Sequence, residues 1–117
     1  MNLKNYLNKD SLHHAYILYG NHSGLSDALN VYLEKDLSFS VHGNPDYYIV
    51  DEDVLTISTV RSVVESSSRK PLNGKKIYVI KSRVLTRESQ NALLKIVEEP
   101  NQNTHFFFLL DNKGSIL

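Results

Sequence analysis

The sequence predicts a three-layer α/β fold built on a parallel sheet, and three observations lead there. Four short runs are rich in aromatic and β-branched residues and lack polar alternation, as expected of strands covered on both faces. Between them lie segments whose apolar residues recur at helical spacing. Strand and helix alternate along the chain, which calls for parallel strands joined by right-handed crossovers.

The runs are "AYILY" (Ala15 to Tyr19), "YYIV" (Tyr47 to Val50), "IYVI" (Ile77 to Ile80) and "FFFLL" (Phe106 to Leu110). After the first, "SGLSDALNVYLEKDL" puts Leu25, Leu29, Tyr32, Leu33 and Leu37 on one helical face. After the second, "TISTVRSVVESSSRK" aligns Ile57, Val60, Val63 and Val64. After the third, "LTRESQNALLKIVEEP" gathers Leu85, Ser89, Ala92, Leu93, Ile96 and Val97 into a stripe, with Thr86 placed to cap its start, Glu88 suited to its first turn and Pro100 to stop it. Gly43-Asn44-Pro45 and Asn73-Gly74 read as turns leading into strands. No repeat, linker or low-complexity tract interrupts the pattern.

At 117 residues the chain has the length of a single domain with a real core. Its longest apolar runs fall far short of the roughly 20 residues that span a bilayer, and its start lacks the apolar block of a secretory signal. The absence of cysteine removes disulfides and thiolate metal sites, and fits a cytoplasmic setting. Net charge is zero, yet residues 1–58 carry three Lys/Arg against eight Asp/Glu, and residues 59–117 carry ten against five. Such a split is compatible with charges that pair across the fold, or with a basic face that meets nucleic acid or an acidic partner. Neutrality overall argues against strong DNA binding by this chain alone.

The stretch "YILYGNHSGLSDAL" has the frame of a phosphate-binding loop: an apolar run, a glycine-bearing turn, then a helix. Such a loop reads G-x-x-x-x-G-K-[ST], so that backbone N–H groups turn toward the phosphates, the lysine neutralises them and the hydroxyl holds Mg²⁺. Laid on Gly20, with Gly24 inside the loop, the pattern needs Gly, Lys and Ser/Thr where the sequence has Leu25, Ser26 and Asp27. Leu25 opposes a close turn, Ser26 removes the cation, and Asp27 at a helix start would repel a nucleotide. A nucleotide site also wants acidic residues at the carboxyl end of the strand "KKIYVIK" to hold Mg²⁺ and activate water, and Lys81 and Ser82 stand there instead. Two independent positions needed for catalysis are therefore lost.

Other candidates are weaker. "VDED", ending Asp51, Glu52, Asp53, follows the second run and would bind Mg²⁺ in a receiver-like domain, or cap the next segment and solvate a loop. His13, His14, His22, His42 and His105 form no helical i, i+4 ligand pair and read as surface residues. Ser23, His22 and Asp27 are neighbours on one turn, without the convergence a catalytic triad needs. No metal site is predicted. Glu98-Glu99 are unusual because carboxylates at a helix carboxyl end oppose its dipole; a solvated end or a partner would compensate.

"NALLKIVEEP", Asn91 to Pro100, followed by "NQNTHFFFLLDN", closely resembles the segment of bacterial clamp-loader AAA+ proteins that reads N-A-L-L-K, two residues, E-E-P, and runs into the sensor strand. "HHAYILYG" resembles the lead into their phosphate loop, and "VRSVVESSSRKPLNGKKIYVIK" their helix, proline turn and Walker B strand. The resemblance implies a P-loop NTPase-like (AAA+) sheet. It departs where family ATPases carry the phosphate-loop lysine and the Walker B acids, so it points to the members with a non-functional nucleotide site. What it implies is a non-catalytic, cytoplasmic subunit with no cofactor of its own. Its partners would be the other clamp-loader subunits and, through the assembly, the sliding clamp and primer-template DNA. The polar positions Gln90, Asn91, Lys95, Glu98 and Glu99 become interface candidates. A divergent active ATPase is the enzyme-class alternative.

Family members continue into further strands, a lid and a collar. The resemblance therefore implies that residues 1–117 are an amino-terminal core truncated after the fourth strand. The next strand would lie beside "AYILY", leaving that run as an open edge in this chain.

Overall fold

A computed structural model describes residues 3–99 and 101–111. Two single-turn 3-10 segments, Leu3–Asn5 and Lys9–Ser11, precede β1 (Ala15–Tyr19), α1 (His22–Lys35), β2 (Tyr47–Leu55), α2 (Ile57–Ser67), β3 (Lys76–Leu85), α3 (Arg87–Glu98) and β4 (Thr104–Leu110). The strands form one sheet in the order β1-β4-β3-β2, and every pairing is parallel. α1 carries the chain across one face, from the β1 edge to the β2 edge. α2 and α3 then bring it back along the other face, one strand at a time.

Each face has its own core. On one, Leu25, Leu29, Tyr32 and Leu33 of α1 pack with Leu3 and Leu7 against Ile77, Val79, Phe107 and Leu109. On the other, Val60 and Val63 of α2 and Leu93 and Ile96 of α3 pack against Tyr78, Ile80, Phe106 and Phe108. The two sets alternate along β3 and β4, as period-two side chains must. Across the second face Tyr48, Tyr78 and Phe106 stack in a row, with ring centroids 4.6 and 4.8 Å apart. Pairs of this kind contribute about 0.5–1.5 kcal/mol each beyond their area.

The helices start where local chemistry dictates. Thr56 and Thr86 accept hydrogen bonds from the backbone N–H groups of Thr59 and Ser89, capping α2 and α3. Glu88 occupies the first turn of α3, as expected. Pro100, the expected stop, lies outside the described residues, as do residues 112–117.

Several expectations need correction. Only β4 is buried along its whole length. β1 and β2 are edge strands among the described residues, so Ile17, Tyr19, Ile49 and Val54 keep substantial exposure. The second and third runs extend well beyond their apolar centres: β2 continues through the acidic residues to Leu55, and β3 through Lys81-Ser82 to Leu85. Leu85 therefore belongs to a strand and not to the stripe of α3. Val64 is more exposed than its helical face suggested, and His105 is buried in β4.

Candidate functional site

In an open α/β sheet, ligands bind beyond the carboxyl ends of the strands, where the chain path reverses. Here that rim brings together the turn after β1, the upper half of β3, and the end of β4. Tyr19, Leu110, Ser82 and Glu52 lie level across the sheet.

The turn after β1 is very short. Gly20 takes φ +149° and its N–H donates to the Leu110 carbonyl at 3.0 Å. α1 already begins at His22, with Asn21 as its cap. Asn21 Oδ1 accepts from the Gly24 N–H at 3.1 Å, and the Asn21 carbonyl accepts from the Leu25 N–H at 2.9 Å. Residues that a working phosphate loop would hold open are thus the first turn of a helix, and the Gly24 and Leu25 N–H groups are already occupied. Leu25 is 2% exposed and its Cδ1 sits 3.6 Å from where a Cβ on Gly20 would stand, so it roofs the glycine from the helix side. Asp27 lies in the sixth position of α1, beyond the first turn, so the expected placement at the helix start is corrected. Its charge acts weakly on that helix end, because the dipole effect fades within one turn.

Ser26 and Lys81, two of the five positions that depart from the nucleotide-site pattern, meet. Lys81 Nζ donates to Ser26 Oγ at 3.2 Å and lies 3.7 Å from Asp51 Oδ2. The cation is therefore supplied by the third strand, and it is tied to the helix and to the edge strand. Ser82 is buried, with its Oγ within reach of the Asp53 and Val84 carbonyls at 3.2 and 2.8 Å, a strand-to-strand bond.

The acidic residues are in a strand, not in a loop. Asp51 faces Lys81 and Asp53 Oδ1 lies 3.3 Å from Arg83 Nε, which corrects the reading of "VDED" as a cluster after the strand. The Asp53–Arg83 pair is exposed on both sides and contributes little to stability, while the Asp51–Lys81 pair sets an exposed carboxylate against a largely buried ammonium. Glu52 points to the opposite face, where its Oε2 accepts from Thr59 Oγ1 at 2.9 Å. The segment does not cap α2; Thr56 does. At the far side of the rim His22 Nε2 lies 3.2 Å from Asp111 Oδ1, without the alignment of a hydrogen bond. Ser23, His22 and Asp27 follow one another along α1 and do not converge.

On α3, Asn91, Lys95, Glu98 and Glu99 are exposed. Gln90 is half-buried, and its side-chain amide donates to the Leu85 carbonyl at 3.1 Å. An apolar groove lined by Ile17, Leu85, Leu94, Val97 and Phe108 runs between this helix and the outer edge of β1, which has no partner strand among the described residues.

Sequence reasoning missed four polar anchors. His105 Nδ1 lies 2.7 Å from the His13 carbonyl and His14 Nε2 lies 2.6 Å from the Val97 carbonyl, so two of the supposed surface histidines fasten the segment before β1. Burial lowers the pKa of His105 below the ordinary histidine value. Asp46 and Lys76 are 1% and 2% exposed. Burial, with the Arg69 cation nearby, lowers Lys76 from the usual lysine value. A charged residue at the mouth of an apolar run was the available signal for both.

All 117 residues match the family described as "DNA polymerase III, delta subunit". The chain belongs to that family. Among curated relatives named DNA polymerase III subunit delta′, that of Haemophilus influenzae is 37% identical over 65% of this chain and 25% of its own length. That of Bacillus subtilis is 31% identical over 98% of this chain and 41% of its own. The chain thus spans well under half the length of these family members. A solved structure of a DNA polymerase III gamma subunit-related protein from Thermotoga maritima has the same fold, with a TM-score of 0.72 at 17% identity over 90% of this chain and 37% of that one. No helix among the described residues is long and apolar enough to cross a membrane.

Proposed function

We propose that this chain is the amino-terminal AAA+-like core, residues 1–117, of a delta-prime-type clamp-loader subunit that neither binds nor hydrolyses ATP. It acts as a fixed member of the assembly that loads the sliding clamp onto primer-template DNA in the cytoplasm, with the other clamp-loader subunits as direct partners and no membrane or cofactor of its own. The family match and the delta′ relatives support the assembly role. The observation that carries the non-catalytic reading is the start of α1 at His22, two residues past Gly20, with Asn21 capping it and Leu25 buried beneath. This replaces a cradle of free N–H groups with a closed helix end. Lys81 alone is a point charge already engaged by Ser26 and Asp51, and an ion pair made to a solvent-exposed anion is worth about 1 kcal/mol or less. Millimolar binding already needs about −4.1 kcal/mol.

Isothermal titration of the full-length protein with ATP and Mg²⁺ tests the reading. The expected result is no binding tighter than about millimolar. A micromolar dissociation constant, or turnover by the purified subunit, favours the divergent ATPase instead.

A further inference from the structure

We propose that Asn73 is a modification site: the Gly74 backbone nitrogen attacks its side-chain amide, and the residue is converted through a cyclic imide into aspartate and isoaspartate. Within this sequence Asn73 is the one asparagine followed by glycine. A glycine has no Cβ to crowd the attacking nitrogen or to restrict the rotation that brings it to the amide. The space around it is open too, since a Cβ on Gly74 would meet no atom beyond its chain neighbours within 4 Å. Both residues are exposed, in the loop between α2 and β3.

Hydrogen bonding singles out the same residue. Asn8 and Asn21 direct their side-chain oxygens to the backbone N–H groups of Asp10 and Gly24, Asn30 accepts from the Tyr47 hydroxyl, and Asn101 donates to the Ser67 carbonyl. Asn44 is tied through both ends of its amide and precedes a proline, which has no N–H to give up. Asn91 lies inside α3, where the helix holds the backbone. Among the described residues the Asn73 side-chain amide and the Gly74 N–H make no hydrogen bond. What is held is the main chain just before them: the Leu72 N–H donates to Asp46 Oδ1 at 2.9 Å and the Asn73 N–H to Oδ2 at 2.7 Å. The reacting groups are free on a fixed support.

Water is the only co-reactant. The Gly74 nitrogen gives its proton to a solvent base and forms a bond to Asn73 Cγ; the Cγ–Nδ2 bond breaks, and that nitrogen takes up a proton and leaves as ammonia. Water then opens the imide at either carbonyl, so one water is consumed, one ammonia is released and no oxidation state changes. Negative charge builds on the attacking nitrogen and then on the amide oxygen, and cations nearby stabilise it. Lys75 is the next residue, Arg69 and Lys70 lie exposed on the same loop, and no acidic residue occurs between Ser66 and Lys81.

The two products differ in what they do to the loop. Opening at the main-chain carbonyl gives isoaspartate, whose backbone runs through the former side chain and gains a carbon. That carbon lies between the Asn73 N–H, held by the Asp46 carboxylate, and the start of β3, where the Ile77 N–H donates to the Asp46 carbonyl at 2.9 Å and the Lys76 N–H to the Asn103 carbonyl at 2.8 Å. Asp46 grips the chain on both sides of the insertion, so isoaspartate loosens this end of the sheet. Aspartate leaves the chain length unchanged.

The test ages full-length protein at neutral and mildly alkaline pH, folded and in urea, and follows each asparagine of residues 1–117 by peptide mass spectrometry. Isoaspartate at position 73 is read by methyl transfer to that peptide from an isoaspartyl methyltransferase. In the folded protein Asn73 should convert at least about tenfold faster than any other of these asparagines, a barrier lower by about 1.4 kcal/mol, and faster at the higher pH. Asn73→Gln, which must close a larger ring, should abolish methyl transfer to this peptide. Gly74→Ala should slow conversion, and because φ at Gly74 is +95° its folding is checked by melting, with Asn73→Gln as the variant that keeps the backbone unstrained. Protein carrying isoaspartate should melt below the unaged wild type, and Asn73→Asp should melt with the wild type. An Asn73 that stays intact in the folded protein while the urea-unfolded chain reacts refutes the proposal, because the loop then protects it. Earlier conversion of another asparagine also refutes it, and isoaspartate at this position with unchanged melting overturns the loosening.

Discussion

Restoring the missing charges should not restore nucleotide binding. The double variant Ser26→Lys/Lys81→Asp puts a lysine and an acid where a working site needs them. On the proposed reading the obstacle is the backbone, because α1 starts at His22 and the Gly24 and Leu25 N–H groups are already engaged by Asn21. A phosphate cradle requires that turn to open. Opening it gives up the Asn21 cap, about 1 kcal/mol, and the burial of Leu25, about 2 kcal/mol. It also breaks the Leu25 N–H bond to the Asn21 carbonyl, about 1 kcal/mol. The sum is about 4 kcal/mol, close to three powers of ten in affinity, so a site of intrinsic micromolar strength would read as millimolar. Titration calorimetry with ATP and Mg²⁺, alongside circular dichroism to confirm folding, gives the answer. Micromolar binding by the double variant would show that charge, not the closed helix end, was the obstacle, and would refute the reasoning.

Three further outcomes follow from the same geometry. Burial lowers the folded-state pKa of His105 below the unfolded value near 6.5, so its contribution is present above about pH 6.5 and is lost as pH falls through the folded pKa; urea midpoints between pH 7.5 and 5.5 should fall less steeply in His105→Gln than in the wild type. Glu98→Lys/Glu99→Lys relieves two carboxylates opposing the α3 dipole and should raise the melting temperature by about 1–3 °C, while gel filtration with the other subunits should show weaker assembly if these residues face a neighbour. The outer edge of β1 has no partner strand among the described residues and carries neither proline nor charge, so the 117-residue chain alone should self-associate in sedimentation experiments; because Ile17 is 49% exposed, Ile17→Lys is tolerated and should return the chain to a monomer, and a monomeric wild type at high concentration would count against pairing through this edge.

The alternation of β-rich runs with helical stripes was enough, by itself, to determine a parallel α/β sheet, since strands buried on both faces leave continuous apolar runs and one-sided helices leave a 3.6-residue period. Local chemistry also placed the start of α3, because Thr86 caps it through an atom three residues away. The departures at Leu25, Ser26, Lys81 and Ser82 could likewise be read as one-letter facts. What they do to the site could not. The meeting of Lys81 with Ser26, 55 positions apart, and the closed first turn of α1 depend on strand order and on where a helix begins, which no local window contains. The same holds for the lengths of β2 and β3: Asp51 and Asp53 are poor strand formers, yet they lie in β2 because its pairing with β3 runs on through them to Val54 and the buried Leu55. Asp46, Lys76 and His105 complete the contrast, since a polar residue is legible as buried only once its partners are in place, and those partners are backbone groups supplied by distant segments.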